Sequence, residues 1–287
     1  MEHIEQVLVS GLFAGMVYGL ISIGLSLIWG IMDMVNFAHS DFMMLAMYFT
    51  YLLFSKLGLD PLFSLPLVAA GMFCLGVLTY FLVIRHVIGG ELVQQTLCTF
   101  GLVVLLQSVA QYLWTGNYQM INEPLVSGNI RIFAASLSKG QVVAGVASLF
   151  LAGAIWWVIQ KTRIGWALMA TAQNRYSAPL VGIKVDRMFA LAWGIGLASV
   201  GAAGVFLANY YYIYPQVGAT FQLLALVAVA LGGFGSIPGA IVAGIAVGLI
   251  EALSGYLIEP AYKYLVVFSL YIVVVLVRPH GFFGTHS

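Results

Sequence analysis

The sequence predicts an all-α fold, a polytopic membrane helical bundle of eight to ten spans, some of them broken or re-entrant. Three observations carry that expectation. The 287 residues are 62% hydrophobic and only 7% charged, whereas a soluble globular chain carries about 25% charged residues. Mean hydropathy is +1.02. The apolar runs are continuous and match the roughly 20 residues that cross a bilayer core, unlike the alternating segments of about 10 residues that build a membrane barrel.

Taken in order, the expected spans are 7–29, 42–57, 62–84, 92–114, 140–160, 188–210, 220–236, 239–257 and 263–277. Glu2 and Glu5 make the start acidic, unlike the basic opening of a signal peptide, so the first run is expected to stay as a spanning helix. No linker divides the chain, so 1–287 reads as a single transmembrane domain. A net charge of +1 implies neither an acidic nor a basic partner, and no nucleic acid. Cys74 and Cys98 sit inside apolar runs and read as small packed residues, with a pairing across helices as the alternative.

Small residues are arranged in ridges. Gly11, Gly15 and Gly19 recur every four positions, as do Ala240, Gly244, Gly248 and Ala252. Such ridges let helix backbones approach closely in lipid, so both are expected to face protein, either inside the chain or in a second subunit.

Basic residues in short loops set orientation. The loop 161–187 holds Lys161, Arg163, Arg175, Lys184 and Arg187 against the single acid Asp186, which places it in the cytoplasm. Arg85, His86 and Arg278 agree with that side. The segment 115–139, with Asn122, Glu123, Arg131 and Lys139, then falls outside as the largest outer loop. The N-terminus lies outside by this count and the C-terminus inside.

The stretch WGIMDMVNFAHSDFMMLAMY, residues 29–48, gathers Asp33, Asn36, His39, Ser40 and Asp41. A charge at the bilayer centre costs on the order of 3 kcal/mol, so Asp33 and Asp41 are expected near an interface. On a helix Asn36 and His39 would share a face. Ser40 or Asp41 would cap a helix beginning at Phe42. The stretch is either a capped interfacial turn or a half-helix break beside a substrate path, and the two are compatible. A second break, LGGFGSIPGA at 231–240, interrupts another apolar run. Irregular backbone at membrane depth needs protein or a water-filled cavity to satisfy it, and paired interruptions mark the pathway of a transporter. NFAHS and GFGSI align only weakly as a repeat.

The string GLFAGMVYGLISIGLSLIWGIMDMVNFAHSDFMML resembles the N-terminal signature of branched-chain amino acid ABC transporter permeases. TRIGWALMATAQNRYSAPLVGIKVDRM at 162–188, ALGGFGSIPGAIVAGIAVGLIEAL at 230–253 and VRPHGFFG at 277–284 resemble the same family, in the same order. One position departs from it: after NFAH the family usually has glycine, and here it is Ser40, which would be strained in a turn needing positive φ. The resemblance implies a role as one of two related permease subunits of an importer. Two cytoplasmic ATPases carrying ATP and Mg would drive it, and a periplasmic binding protein would deliver leucine, isoleucine, valine or a similar amino acid across a bacterial inner membrane. It further implies that Gly165, Ala170, Ala172, Asn174, Ala178 and Gly182 fall on the family's coupling motif.

The residues themselves add to this. The chain has no G-x-x-x-x-G-K-[ST] loop, so ATP would have to bind another chain. WALMATAQNRYSAPLVGI reads as a short amphipathic helix with Pro179 near its end, able to dock in a groove by its apolar face, with Arg163 and Arg175 placed to pair with acidic groups. The alternative is an anchor to lipid headgroups. Glu251 sits in an apolar run, either at headgroup level or facing the pathway, where it would attract a substrate ammonium. Tyr18, Asn36 and His39 are the other pathway candidates. Tyr210, Tyr211, Tyr212 and Tyr214 read as an interfacial belt. An ion-coupled carrier and a passive channel are rival classes. An intramembrane enzyme is a third, but neither G-x-S-x-G nor H-E-x-x-H occurs, and His280 and His286 have nothing metal-like beside them.

Overall fold

The protein is described here by a computed structural model covering residues 2–122, 124–132, 135–278 and 281–284. Glu123, His280 and His286 lie outside the described residues. Among those described, ten α-helices form the bundle: α1 Glu2–Met32, α2 His39–Leu57, α3 Pro61–Leu82, α4 Leu92–Trp114, α5 Lys139–Lys161, α6 Arg163–Gln173, α7 Val185–Ala208, α8 Val217–Gly232, α9 Ile237–Leu257 and α10 Lys263–Val277. A small antiparallel hairpin, β1 Asn129–Ile132 and β2 Ala135–Ser138, pairs Asn129 with Ser138. The all-α reading therefore holds for the bundle, with a hairpin added in the long segment after α4.

Seven helical segments, containing α1, α3, α4, α5, α7, α9 and α10, are long and apolar enough to cross a membrane. α2 and α8 are not among them. The 16 residues of α8 extend only about 24 Å at 1.5 Å per residue, short of a hydrocarbon core of about 30 Å.

Helix ends are set by local chemistry. Asp60 caps α3 by accepting from Leu62 N at 3.0 Å, and its other oxygen accepts from Leu125 N at 2.6 Å. This ties the start of α3 to the segment that leads into the hairpin. Ser236 caps α9 by accepting from Gly239 N at 3.2 Å. The last carbonyls of α8 would be orphaned, but Phe282 N and Phe283 N donate to Leu231 O and Gly232 O at 2.8 and 3.2 Å. Phe282 and Phe283 thus close the end of α8. The LGGFGSIPGA stretch is the turn between α8 and α9 and packs on Gly30 near the end of α1. It lies at one end of the bundle, so the expected interruption at membrane depth is not there.

The two glycine ridges face each other. A Cβ on Gly11 would sit 2.7 Å from Ala252 Cβ, and one on Gly15 would sit 2.7 Å from Ile245 Cα. Gly244 and Gly248 press on Gly19 and Gly15 in return. α1 and α9 are thereby antiparallel and in backbone contact within one chain. α7 makes the matching contact with α3, where a Cβ on Gly76 would sit 3.0 Å from Gly194 Cα. α7 is buried along most of its length, with Trp193 fully enclosed. Cys74 is exposed and Cys98 half-buried, and both are free thiols.

Candidate translocation site

The opening polar stretch is a break inside the bundle. α1 ends at Met32, and Asp33 takes a left-handed φ of 53° and is exposed. Residues 34–36 run without regular structure, and α2 starts at His39. Its start is deep: His39 Nε2 lies 3.1 Å from Ile21 O in the interior of α1, and a Cβ on Gly24 would touch the His39 ring and Gly196, at the middle of α7. Asn36 is therefore not on the helix with His39. Its Oδ1 accepts from Ala38 N at 3.0 Å, folding the chain into the turn that opens α2. The N-cap position is Ala38, with no side-chain cap, so neither Ser40 nor Asp41 performs that role. Ser40 has negative φ inside the helix, since Asp33 and Thr115 are the positive-φ residues other than glycine among those described. Its departure from the family's glycine brings no backbone strain.

The second break is before α8. The run Asn209–Gln216 carries the tyrosines down from α7, and α8 starts beside α2. A Cβ on Gly218 would lie 2.7 Å from Ser40 O and 2.9 Å from Asp41 Oδ1. The two N-cap residues, Ala38 (φ −84°, ψ 4°) and Gln216 (φ −101°, ψ 7°), share one geometry and lack side-chain caps. Tyr211 packs on Phe221 and Tyr214 on Tyr118, with ring centroids 5.3 and 4.8 Å apart. Of the four expected belt tyrosines, only Tyr212 is exposed.

Gln222 joins the two breaks. Its Nε2 donates to Asn36 O at 3.1 Å and its Oε1 accepts from Ser40 N at 2.9 Å. Asp41 is 2% exposed, contrary to the interfacial placement expected for it. Its Oδ1 accepts from Gln107 Nε2 of α4 at 2.9 Å, and the starts of α2 and α8 present their positive dipole ends to it. Asn36 Nδ2, His39 Nδ1 and Ser40 Oγ are buried with no partner among the described residues. Since Ile21 O only accepts, His39 carries its proton on Nε2 and leaves Nδ1 as a bare acceptor. A polar centre with spare donors and acceptors thus sits where two helix starts meet.

Tyr18 and Glu251 form a second cluster one turn along α1 from Ile21. Tyr18 Oη donates to Glu251 Oε2 at 2.7 Å. Glu251 Oε1 accepts from Lys263 Nζ at 2.7 Å. The ion pair opens onto a cavity of about 400 Å³ between α1, α9 and α10.

In the 161–187 segment the helix is shorter than expected. α6 ends at Gln173, and Pro179 opens the 3-10 turn Ala178–Val181 instead of ending the helix. Thr162 caps α6 by accepting from Gly165 N at 3.2 Å. Gly165 lies flat on the Ile159 backbone, so the sharp α5–α6 corner admits no side chain there. Asn174 Oδ1 accepts from Tyr176 N and Ser177 N, both at 2.9 Å, and Gly182 ends the turn at φ 85°. Arg163, Ala172 and Arg175 are exposed, Ala170 half-buried and Ala178 buried. Ala172 lines two neighbouring cavities, of about 400 and 300 Å³, that separate α6 from the end of α1.

Gln107, Gln222, Asp41 and Lys263 were not among the expected site residues. A single amide in the apolar run TFQLLALVAVAL was the available signal for Gln222. Lys263 carried a weaker one, as the only base opening the last span.

Two interrupted helices that meet at a polar centre, inside a bundle of span-length helices, define a multi-pass membrane permease. The chain belongs to the family of branched-chain amino acid transport system permease components, whose family model matches residues 7–275. It is 32% identical to the high-affinity branched-chain amino acid transport system permease protein LivH of Salmonella typhimurium, over 97% of this chain and 95% of that protein. Identity is also 32% to the corresponding protein BraD of Pseudomonas aeruginosa, over 98% and 96%. A probable LivH from Methanocaldococcus jannaschii is 27% identical over 92% and 88%. The protein is thus a transport permease of the ABC importer type.

Proposed function

We propose that this permease is one of two related membrane subunits of an importer that carries branched-chain or chemically similar amino acids across a bacterial inner membrane. The observation that carries this reading is the full-length likeness to LivH and BraD, both named for high-affinity branched-chain amino acid transport. Two cytoplasmic ATPases holding ATP and Mg drive it, and a periplasmic binding protein delivers the cargo. The α6 end faces the cytoplasm, because the 161–187 segment is the most basic in the chain. α6 and the turn after it dock on an ATPase, with the exposed Leu180, Val181 and Tyr176 as the apolar contact and Arg163 and Arg175 at its rim.

Transport proceeds by alternating access. Asn36 and His39 sit where α2 and α8 begin, and their unpartnered atoms are available to a passing polar group. Movement of α6 reaches that centre through the end of α1 and residues 33–38. ATP and the loaded binding protein supply the different affinities for the two states that switching requires.

The test is labelled leucine uptake in vesicles holding this chain, its partner permease, both ATPases and the binding protein. Uptake is expected to need ATP. Ala172→Glu, which puts a charge between α6 and α1, is expected to reduce it at least tenfold while the complex still assembles. Uptake that continues without ATP would replace this reading with a gradient-driven carrier or a channel.

A further inference from the structure

We infer that the cavity between α1, α9 and α10 is a binding subsite for a zwitterionic amino acid, with Glu251 taking the ammonium and Lys263 the carboxylate. This deepens the importer reading and rests on it. The cavity, about 400 Å³, lies within the roughly 300–1,000 Å³ typical of small-molecule sites. It lies at the bundle end opposite α6, on the side from which cargo would arrive. Its walls come largely from the two packed ridges, with Gly11, Ala14, Gly248, Ala252 and Gly255 leaving room for an aliphatic side chain and offering it little polarity.

The charges are the informative part. Glu251 is 7% exposed as a residue, and a carboxylate that deep needs a cation. Lys263 supplies it at 2.7 Å. The two members are unequal. Glu251 is held in place by the Tyr18 hydroxyl on its second oxygen. The Lys263 side chain is 32% exposed, against 9% for Glu251, and it also lies over the Tyr264 ring, 4.6 Å from its centroid. Lysine is a flexible point charge. An amino acid entering the cavity would exchange one buried ion pair for two: its ammonium replaces Lys263 at Glu251 Oε1, and its carboxylate takes the released Nζ. No net charge is buried in the exchange. A simple amine or a simple carboxylic acid would complete only one of the two pairs.

The probes are leucine, isoamylamine and 4-methylpentanoate, used as competitors of labelled leucine uptake in the complete complex. In the wild type, only leucine is expected to compete well. Glu251→Gln and Lys263→Gln are each expected to cut leucine uptake at least tenfold. The double change to Gln at both positions leaves no unpaired charge, which separates loss of binding from loss of folding. It is expected to assemble with its partners and to melt within a few degrees of the wild-type complex, yet to stay at least tenfold down in uptake. If that double variant imports leucine within twofold of wild type, the pair is structural and the subsite is overturned, with the importer reading intact. If the wild-type complex imports no amino acid at all, both fall.

Discussion

At the scale of single residues, Gln222 and Ser40 make opposite predictions. Gln222 satisfies one backbone donor and one backbone acceptor where the two breaks meet. Gln222→Leu keeps the volume but leaves Ser40 N and Asn36 O buried and unpaired, at roughly 1–3 kcal/mol each. The expected result is a clear fall in the thermal midpoint of the detergent-solubilised complex, together with lost uptake. An unchanged midpoint would mean that the two groups find other partners. Ser40 carries a buried hydroxyl with no partner among the described residues on a helical backbone. Ser40→Ala is therefore expected to be neutral or stabilising, whereas Ser40→Gly, which restores the family's usual residue, costs up to about 1 kcal/mol of helix propensity. The same melting measurement ranks the three, and a midpoint for Ser40→Gly above that of Ser40→Ala would contradict the helical assignment.

At the scale of elements, the α1–α9 contact depends on the absence of side chains. Gly244 and Gly248 each meet backbone atoms of α1, which cannot swing aside as a flexible side chain can. Gly244→Val is expected to separate the helices and abolish recovery of folded protein from membranes. Gly101→Ala is its control: nothing lies within 4 Å of a Cβ there, so that change is expected to leave yield unchanged or improve it. These ridges were legible in the sequence because spacing by four is itself the contact pattern of a helix. The first break was legible too, because polar residues in an apolar run are conspicuous. The second was not, because tyrosines at the end of a span carry the composition of an interfacial belt, and nothing in residues 209–216 marks a return into the bundle. The end of α6 was missed for a related reason: residues 174–181 keep an amphipathic composition, while Asn174 turns the backbone by bonding to it. The Glu251–Lys263 pair joins two helices across a turn, a pairing that hydropathy alone does not encode.

At the scale of the whole molecule, the chain folds as two halves of opposite sense. α1 packs on α9 as α7 packs on α3, and α2 follows α1 across a break as α8 follows α7. Since α1 and α7 are antiparallel, an inverted repeat relates α1–α4 to α7–α10, the arrangement that places a site at the repeat interface. Each of α2 and α8 is preceded by an irregular run, and a full crossing at either position would have to include that run. This predicts a pattern of labelling with a membrane-impermeant maleimide after Cys74 and Cys98 are replaced by alanine. Leu57→Cys, Tyr118→Cys and Tyr212→Cys, all at exposed positions, are expected to react in intact cells. Asp33→Cys, Tyr176→Cys and Phe234→Cys, also exposed, are expected to react only after permeabilisation. Tyr118 and Tyr176 are separated by the full-length α5 and set the two reference sides. The informative pairs are Asp33 with Leu57, across α2, and Tyr212 with Phe234, across α8. If either pair reacted from one side, that half-helix would dip into the membrane and return, the crossing count would fall, and the two halves could not be inverted copies of each other.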